Sequence, residues 1–197
     1  MKKVIIALLT ATAACATPGA GKNEMTAAGH ESAAATEERA GAAKRAADHK
    51  NAASQLREDE RRACASLPLV ERQTSPLAGL SVIEVKPLTQ TLIVAEGLFQ
   101  EVTTGASVVV RGEPNLAAGQ LQRLLTCHIA HAELGEATPL VMRTCPLAVP
   151  GVYASVRPFG PGYAIEIIAT ETGAGVRDGS GPGDEVWKRA SQLVLAH

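Results

Sequence analysis

Val152-Tyr153-Ala154-Ser155-Val156-Arg157 and Tyr163-Ala164-Ile165-Glu166-Ile167-Ile168-Ala169-Thr170, joined by Pro158-Phe159-Gly160-Pro161-Gly162, decide the fold. Both flanks are rich in β-branched and aromatic side chains, and the five-residue link holds turn formers, so the stretch reads as an antiparallel hairpin. Upstream, Asn115 after Pro114 is a good N-cap for a helix running to about Leu134, with Gly135 as its stop. Earlier still, Ser81 to Lys86, Thr91 to Ala95 and Ala106 to Arg111 read as three strands, the last alternating Ala106, Val108 and Val110 against Ser107, Val109 and Arg111. Downstream, a glycine-rich loop from Gly173 to Gly183 precedes Asp184, the expected N-cap of a last helix presenting Val186, Trp187, Ala190 and Val194. The order is strand, strand, strand, helix, strand, strand, helix. That order predicts an α+β fold, a two-layer sandwich of a mainly antiparallel sheet with helices on one face.

The other end of the chain speaks to location. Met1-Lys2-Lys3 is a short positive region, Val4 to Ala14 is apolar and small, and Cys15 follows Thr12-Ala13-Ala14. These are the parts of a bacterial export signal. Eleven helical residues span only about 16 Å, too short for a bilayer core of about 30 Å, so a cleaved signal over 1–14 is expected rather than an anchor. Cys15 resembles the lipidated cysteine of a bacterial lipobox, with Thr12 where leucine is usual. Position 16 is alanine rather than aspartate, which in that resemblance implies the outer membrane. The expected location is therefore the cell envelope, facing the periplasm, with the membrane contacted through lipid.

Residues 15–47 are Ala-rich and charge-laced, with Met25 as the large apolar side chain, and read as a flexible or partly helical tether. Ala52, Leu56, Ala63 and Leu67 recur at helical spacing, so 48–67 reads as an amphipathic helix that docks onto the domain at 68–197. The net charge is −1, or −3 once Lys2 and Lys3 leave with the signal, and only five aromatic residues are present. Neither a basic patch nor a base-stacking platform is available, which argues against nucleic acid as a partner.

Three cysteines, Cys64, Cys127 and Cys145, remain beside Cys15. An odd set in an oxidising compartment predicts one disulfide and one spare thiol, with the pairing open. Cys127 with Cys145 would close a short loop worth about 3 kcal/mol in chain entropy. The helix around Cys127 places His128 on the buried face, with Leu121 and Leu125, and sets Cys127 and His131 one turn apart. A second reading therefore joins Cys127, His128, His131 and Cys145 in a soft nitrogen and sulfur site for zinc or copper. Against it, the sequence has no paired CxxC or HExxH spacing. In the disulfide reading His128 is a hydrogen-bonded core histidine and His131 is exposed; His30 and His49 read as solvated. No GxSxG elbow or phosphate-binding GxxxxGK[ST] loop occurs. Glu84, Glu96, Glu101 and Glu166 are expected to face solvent.

Three blocks, His49-x-x-x-Ala53-x-x-Leu56-Arg57 to Ala63-Cys64, Val109-Val110-Arg111 through Leu121-Gln122-Arg123-Leu124 to Cys127-His128, and Cys145-Pro146-Leu147 before Gly151-Val152, resemble those of uncharacterised proteobacterial exported proteins and lipoproteins. The resemblance implies an envelope location and one domain built around these cysteines. The expected function is a non-enzymatic envelope lipoprotein with a periplasmic binding or structural domain, whose partners are the membrane, through the anchor, and an envelope protein. Metal handling through Cys127, His128 and Cys145 is the competing expectation.

Overall fold

A computed structural model describes residues 25–68, 75–95, 97–113, 116–135, 144–170 and 181–195. The signal expected at 1–14, Cys15, Glu96, Asn115 and most of the glycine-rich loop lie outside them. The elements are α1 (Ala27–Arg39), α2 (Ala43–Ala63), β1 (Val82–Ala95), β2 (Leu98–Arg111), α3 (Ala118–Ala132), a 3-10 turn (Pro146–Ala148), β3 (Val152–Phe159), β4 (Gly162–Ala169) and α4 (Pro182–Leu195). The fold is α+β.

The four strands form one antiparallel sheet in the order β1-β2-β4-β3. The expected hairpin is present, with a tighter link than the residue types suggested. Pro158 and Phe159 continue β3, and the turn is Gly160-Pro161, with Gly160 at φ +54°. The two upstream strands expected at 81–86 and 91–95 are one 14-residue strand that runs straight through Pro87. Because β1 is a sheet edge, a missing N–H there can be tolerated. The other edge, β3, is capped by a side chain. Gln122 of α3 accepts from Val156 N at 2.8 Å and donates to Ala154 O at 2.8 Å, which occupies backbone groups that would otherwise template another strand.

One face of the sheet carries Val108, Val110, Ile165 and Ile167, all fully buried under Leu121 and Leu125 of α3 and Val186 and Ala190 of α4. Each such aliphatic side chain contributes about 1.5–3 kcal/mol on leaving water. In α4 the position that packs on the core is Leu193, while Val194 is exposed. Asp184 is not the cap but the third helical residue, and its Oδ2 accepts from Gly181 N at 3.2 Å. The N-cap of α3 is Ala117, without a side-chain bond.

The stretch read as a tether is helical over its described part. It supplies α1 and the first turn of α2, which begins at Ala43 rather than Asp48. The buried apolar positions are small ones, Ala27 and Ala34 on α1 and Ala46 and Ala53 on α2, each pair seven residues apart, with His30 the one larger buried side chain among them. Alanine at that spacing brings two helices close enough to pack without a wide stripe of large side chains. Arg45–Glu37, Lys50–Glu38 and Arg57–Glu31 ion pairs tie the exposed flank at 2.8, 2.5 and 2.9 Å; being exposed, they set register more than stability.

The helical pair is anchored at the C-terminal end of α3. Ala27 N donates to Glu133 O at 2.8 Å and Ala28 N to Leu134 O at 3.0 Å, while Thr26 Oγ1 accepts from Gly29 N at 3.1 Å. The free N–H groups of one helix start are thus satisfied by the carbonyls that follow another helix end. No described helix is long and apolar enough to cross a membrane.

Candidate functional site

α2 runs antiparallel to α3, so that Cys64, at the end of α2, meets Cys127. The two form a disulfide with Cα atoms 4.8 Å apart. This is the bridge that residue counting left open, and it corrects the Cys127–Cys145 alternative. It closes a loop 63 residues long in sequence separation, worth about 4 kcal/mol in the chain-entropy model. Both sulfurs are inaccessible, with Cys64 at 0% and Cys127 at 1% exposure.

Cys145 is the spare thiol, buried elsewhere. Its Sγ lies 3.5 Å from Ser75 Oγ, and burial pushes its pKa up despite that contact. The four expected metal ligands are therefore not gathered. Cys127 has no thiolate to offer once oxidised, Cys145 faces Ser75, and among the described residues no three His, Cys, Asp or Glu side chains are placed to hold a metal ion.

His128 is buried as expected, at 1% exposure, but among the described residues neither ring nitrogen has a hydrogen-bond partner. Burial, with a smaller contribution from His131, lowers its pKa from 6.5 to about 4. The ring is therefore neutral at pH 7. His131 is half-buried, with Nδ1 3.5 Å from Glu60 Oε1, close enough for an ion pair when protonated and too long for a good hydrogen bond. His30 and His49, expected in solvent, are packed between α1 and α2, with Nδ1 atoms 2.9 Å apart and His30 only 3% exposed.

A cleft of about 270 Å³ opens where α1, α2 and α3 meet the start of β3. Leu56, Ile129 and Val149 give it apolar walls, and Asp59 and Glu133 add two carboxylates. Burial, and then the charge of Asp59, raises the Glu133 pKa. Two carboxylates in mutual repulsion over an apolar floor suit a cation with an apolar body. The cleft thus offers a binding surface in which Asp59 and Glu133 stand beside an apolar wall. Sequence reading missed it because Asp59 and Glu133 lie 74 positions apart and belong to no motif.

No protein-family model matches the chain, and neither the curated proteins nor the solved structures contain a match to it.

Proposed function

We propose that this chain is a non-enzymatic protein of the bacterial cell envelope, exported by its first 14 residues, tethered by lipid at Cys15, and carrying an α+β domain that binds a ligand in the periplasm. The observation that supports this reading best is the Cys64–Cys127 disulfide, since such bridges persist in oxidising compartments and are rare in a bacterial cytosol. An export signal and a structural disulfide are independent features, and both favour the same side of the inner membrane. The resemblance to exported proteobacterial proteins and the outer-membrane assignment belong to the same proposal.

The binding role falls to the cleft over Asp59 and Glu133. Its test uses alkylamines and alkyl carboxylates of equal length. The amines should raise the melting temperature of the mature protein and the carboxylates should not, and an Asp59→Asn/Glu133→Gln variant should lose the difference. Tethering is tested by the mass of the protein isolated from membranes. A diacylglyceryl adduct that is lost in Cys15→Ala, and a lipid-bearing precursor still carrying residues 1–14 when globomycin is present, are expected; an unmodified soluble periplasmic product refutes the anchor.

A further inference from the structure

The hairpin of β1 and β2 is longer than the sheet it belongs to. β2 pairs with β4 only from Gly105 to Arg111, whereas its pairing with β1 continues from Thr103 out to Leu98. Beyond Gly105 no other described strand pairs with the two, which continue as a two-stranded ribbon past a register shift between Leu88 and Thr89, with Gly183 at the start of α4 against the Thr103 backbone at its base. At about 3.4 Å per residue the ribbon reaches about 20 Å past the last sheet position. Its tip is apolar and open: Ile93 is 74% exposed, Leu98 58% and Phe99 66%, and Ile93 and Phe99 are cross-strand partners. Between Pro87 and Val110 the sequence holds no Lys or Arg, and its charges are Glu96 and Glu101.

The direction of the ribbon matters. It leaves at the end of the sheet where β4 stops and β3 starts, since Gly105 pairs with Ile168 and Val152 with Ala169. The C-terminal end of α3 lies at that same end, because Ile129, Ala132 and Glu133 line one cleft with Val149 and Pro150. Ala27 is hydrogen-bonded to Glu133 there, so the chain enters the fold at the end from which the ribbon projects. Cys15 is ten residues before Met25, and ten residues can span no more than about 35 Å. A lipid on Cys15 would hold this end of the domain within reach of a bilayer, at a distance comparable with the length of the ribbon.

We infer that the β1–β2 ribbon is a membrane-contacting arm, whose tip, Ile93, Leu98 and Phe99, enters the interfacial layer of a phospholipid bilayer while the Cys15 lipid tethers the chain. The inference rests on the tethering reading above. The diacylglyceryl anchor holds the chain at the bilayer, and the apolar tip adds a second, weaker contact on the same body at the high effective concentration the anchor supplies. With glutamates and no cation near the tip, contact is apolar rather than electrostatic, so anionic lipid gives no advantage.

The experiment uses the mature, membrane-isolated protein in phosphatidylcholine/phosphatidylethanolamine vesicles, with Phe99→Trp as the reporter. The parent has one tryptophan, Trp187, packed against the core, and serves as the blank. The added indole is expected to shift to the blue and to be quenched by lipids brominated on the acyl chain. An unanchored Cys15→Ser protein should bind the same vesicles weakly, and Leu98→Asp with Phe99→Asp should reduce that partition by more than about tenfold. Retention of the disulfide and of the melting transition shows that this variant is folded. An indole that stays in water in the anchored protein overturns the arm and leaves the anchor standing. A shift that follows protein concentration without vesicles also overturns it, by making a second copy the occupant. A lipid-dependent shift in a protein whose mass shows no adduct supports the arm and removes the tether.

Discussion

Ala27 N lies 2.8 Å from Glu133 O, so α1 starts on the carbonyl that closes α3. Gly135 makes this junction possible. It sits at φ +66°, its N–H returns to Ala132 O, and a Cβ on it would run into the side chain of Thr26, the N-cap of α1. Gly135→Ala therefore meets both an unfavourable backbone and a steric conflict. It should cost about 1–3 kcal/mol in urea unfolding. An unchanged midpoint would contradict the junction.

The disulfide fastens the same helical pair through the residue that ends α2. Cys64→Ala with Cys127→Ala is expected to lower stability by about 3–4 kcal/mol. Amide exchange should rise first across α1 and α2, whose buried side chains are mostly alanines, and less in β2 and β4.

His128 predicts a pH dependence. Its folded pKa, about 4, lies below the ordinary 6.5 because burial, and then His131, disfavour the imidazolium. Between those values the unfolded chain binds the proton and the folded chain does not, so stability falls as pH drops from 6.5 toward 4. The loss is about 3 kcal/mol at 1.36 kcal/mol per unit. His128→Leu removes two buried ring nitrogens that lack partners among the described residues. It should raise the urea midpoint at pH 7 and flatten the limb between pH 6.5 and 4.5. A variant that is less stable at pH 7 and keeps the acid limb would refute this account.

Cys145 should be silent to thiol reagents in the folded protein. Its sulfur is buried and its pKa is raised by that burial, so little thiolate forms at pH 8. In a Cys15→Ser protein, iodoacetamide at that pH should add nothing before unfolding and one adduct after it. That adduct should map to Cys145; a single adduct on Cys64 or Cys127 would mean a different pairing, and three adducts would mean no bridge.

The parts of the fold that could be read in advance are those governed by a local period. β3 and β4 flank a link of two glycines and two prolines, and α3 repeats Leu121, Leu125 and His128 on one face, so each declares itself over fewer than 20 residues. β1 was divided at Pro87 because proline ordinarily ends a central strand, and nothing local reveals that this strand lies at an edge. α1 and the first turn of α2 fall in the stretch that reads as a tether, because their contact surface is largely alanine, which the residue pattern cannot distinguish from solvated helix, whereas the rest of α2 is legible as a docking helix. The Cys64–Cys127 bridge and the Asp59–Glu133 cleft depend on where α2 crosses α3, a tertiary fact with no sequence period.

The bridge also bears on what a protease can accomplish. Every peptide bond from Cys64 to Cys127 lies inside a covalent ring, so a single cut in the long connection after α2 or in the projecting ribbon opens the ring without releasing either half. A nicked molecule would keep its full mass until reductant was added, and would keep α2 fastened to α3 through the cut. For a domain in a compartment exposed to proteases, damage to the connecting chain need not mean loss of the part.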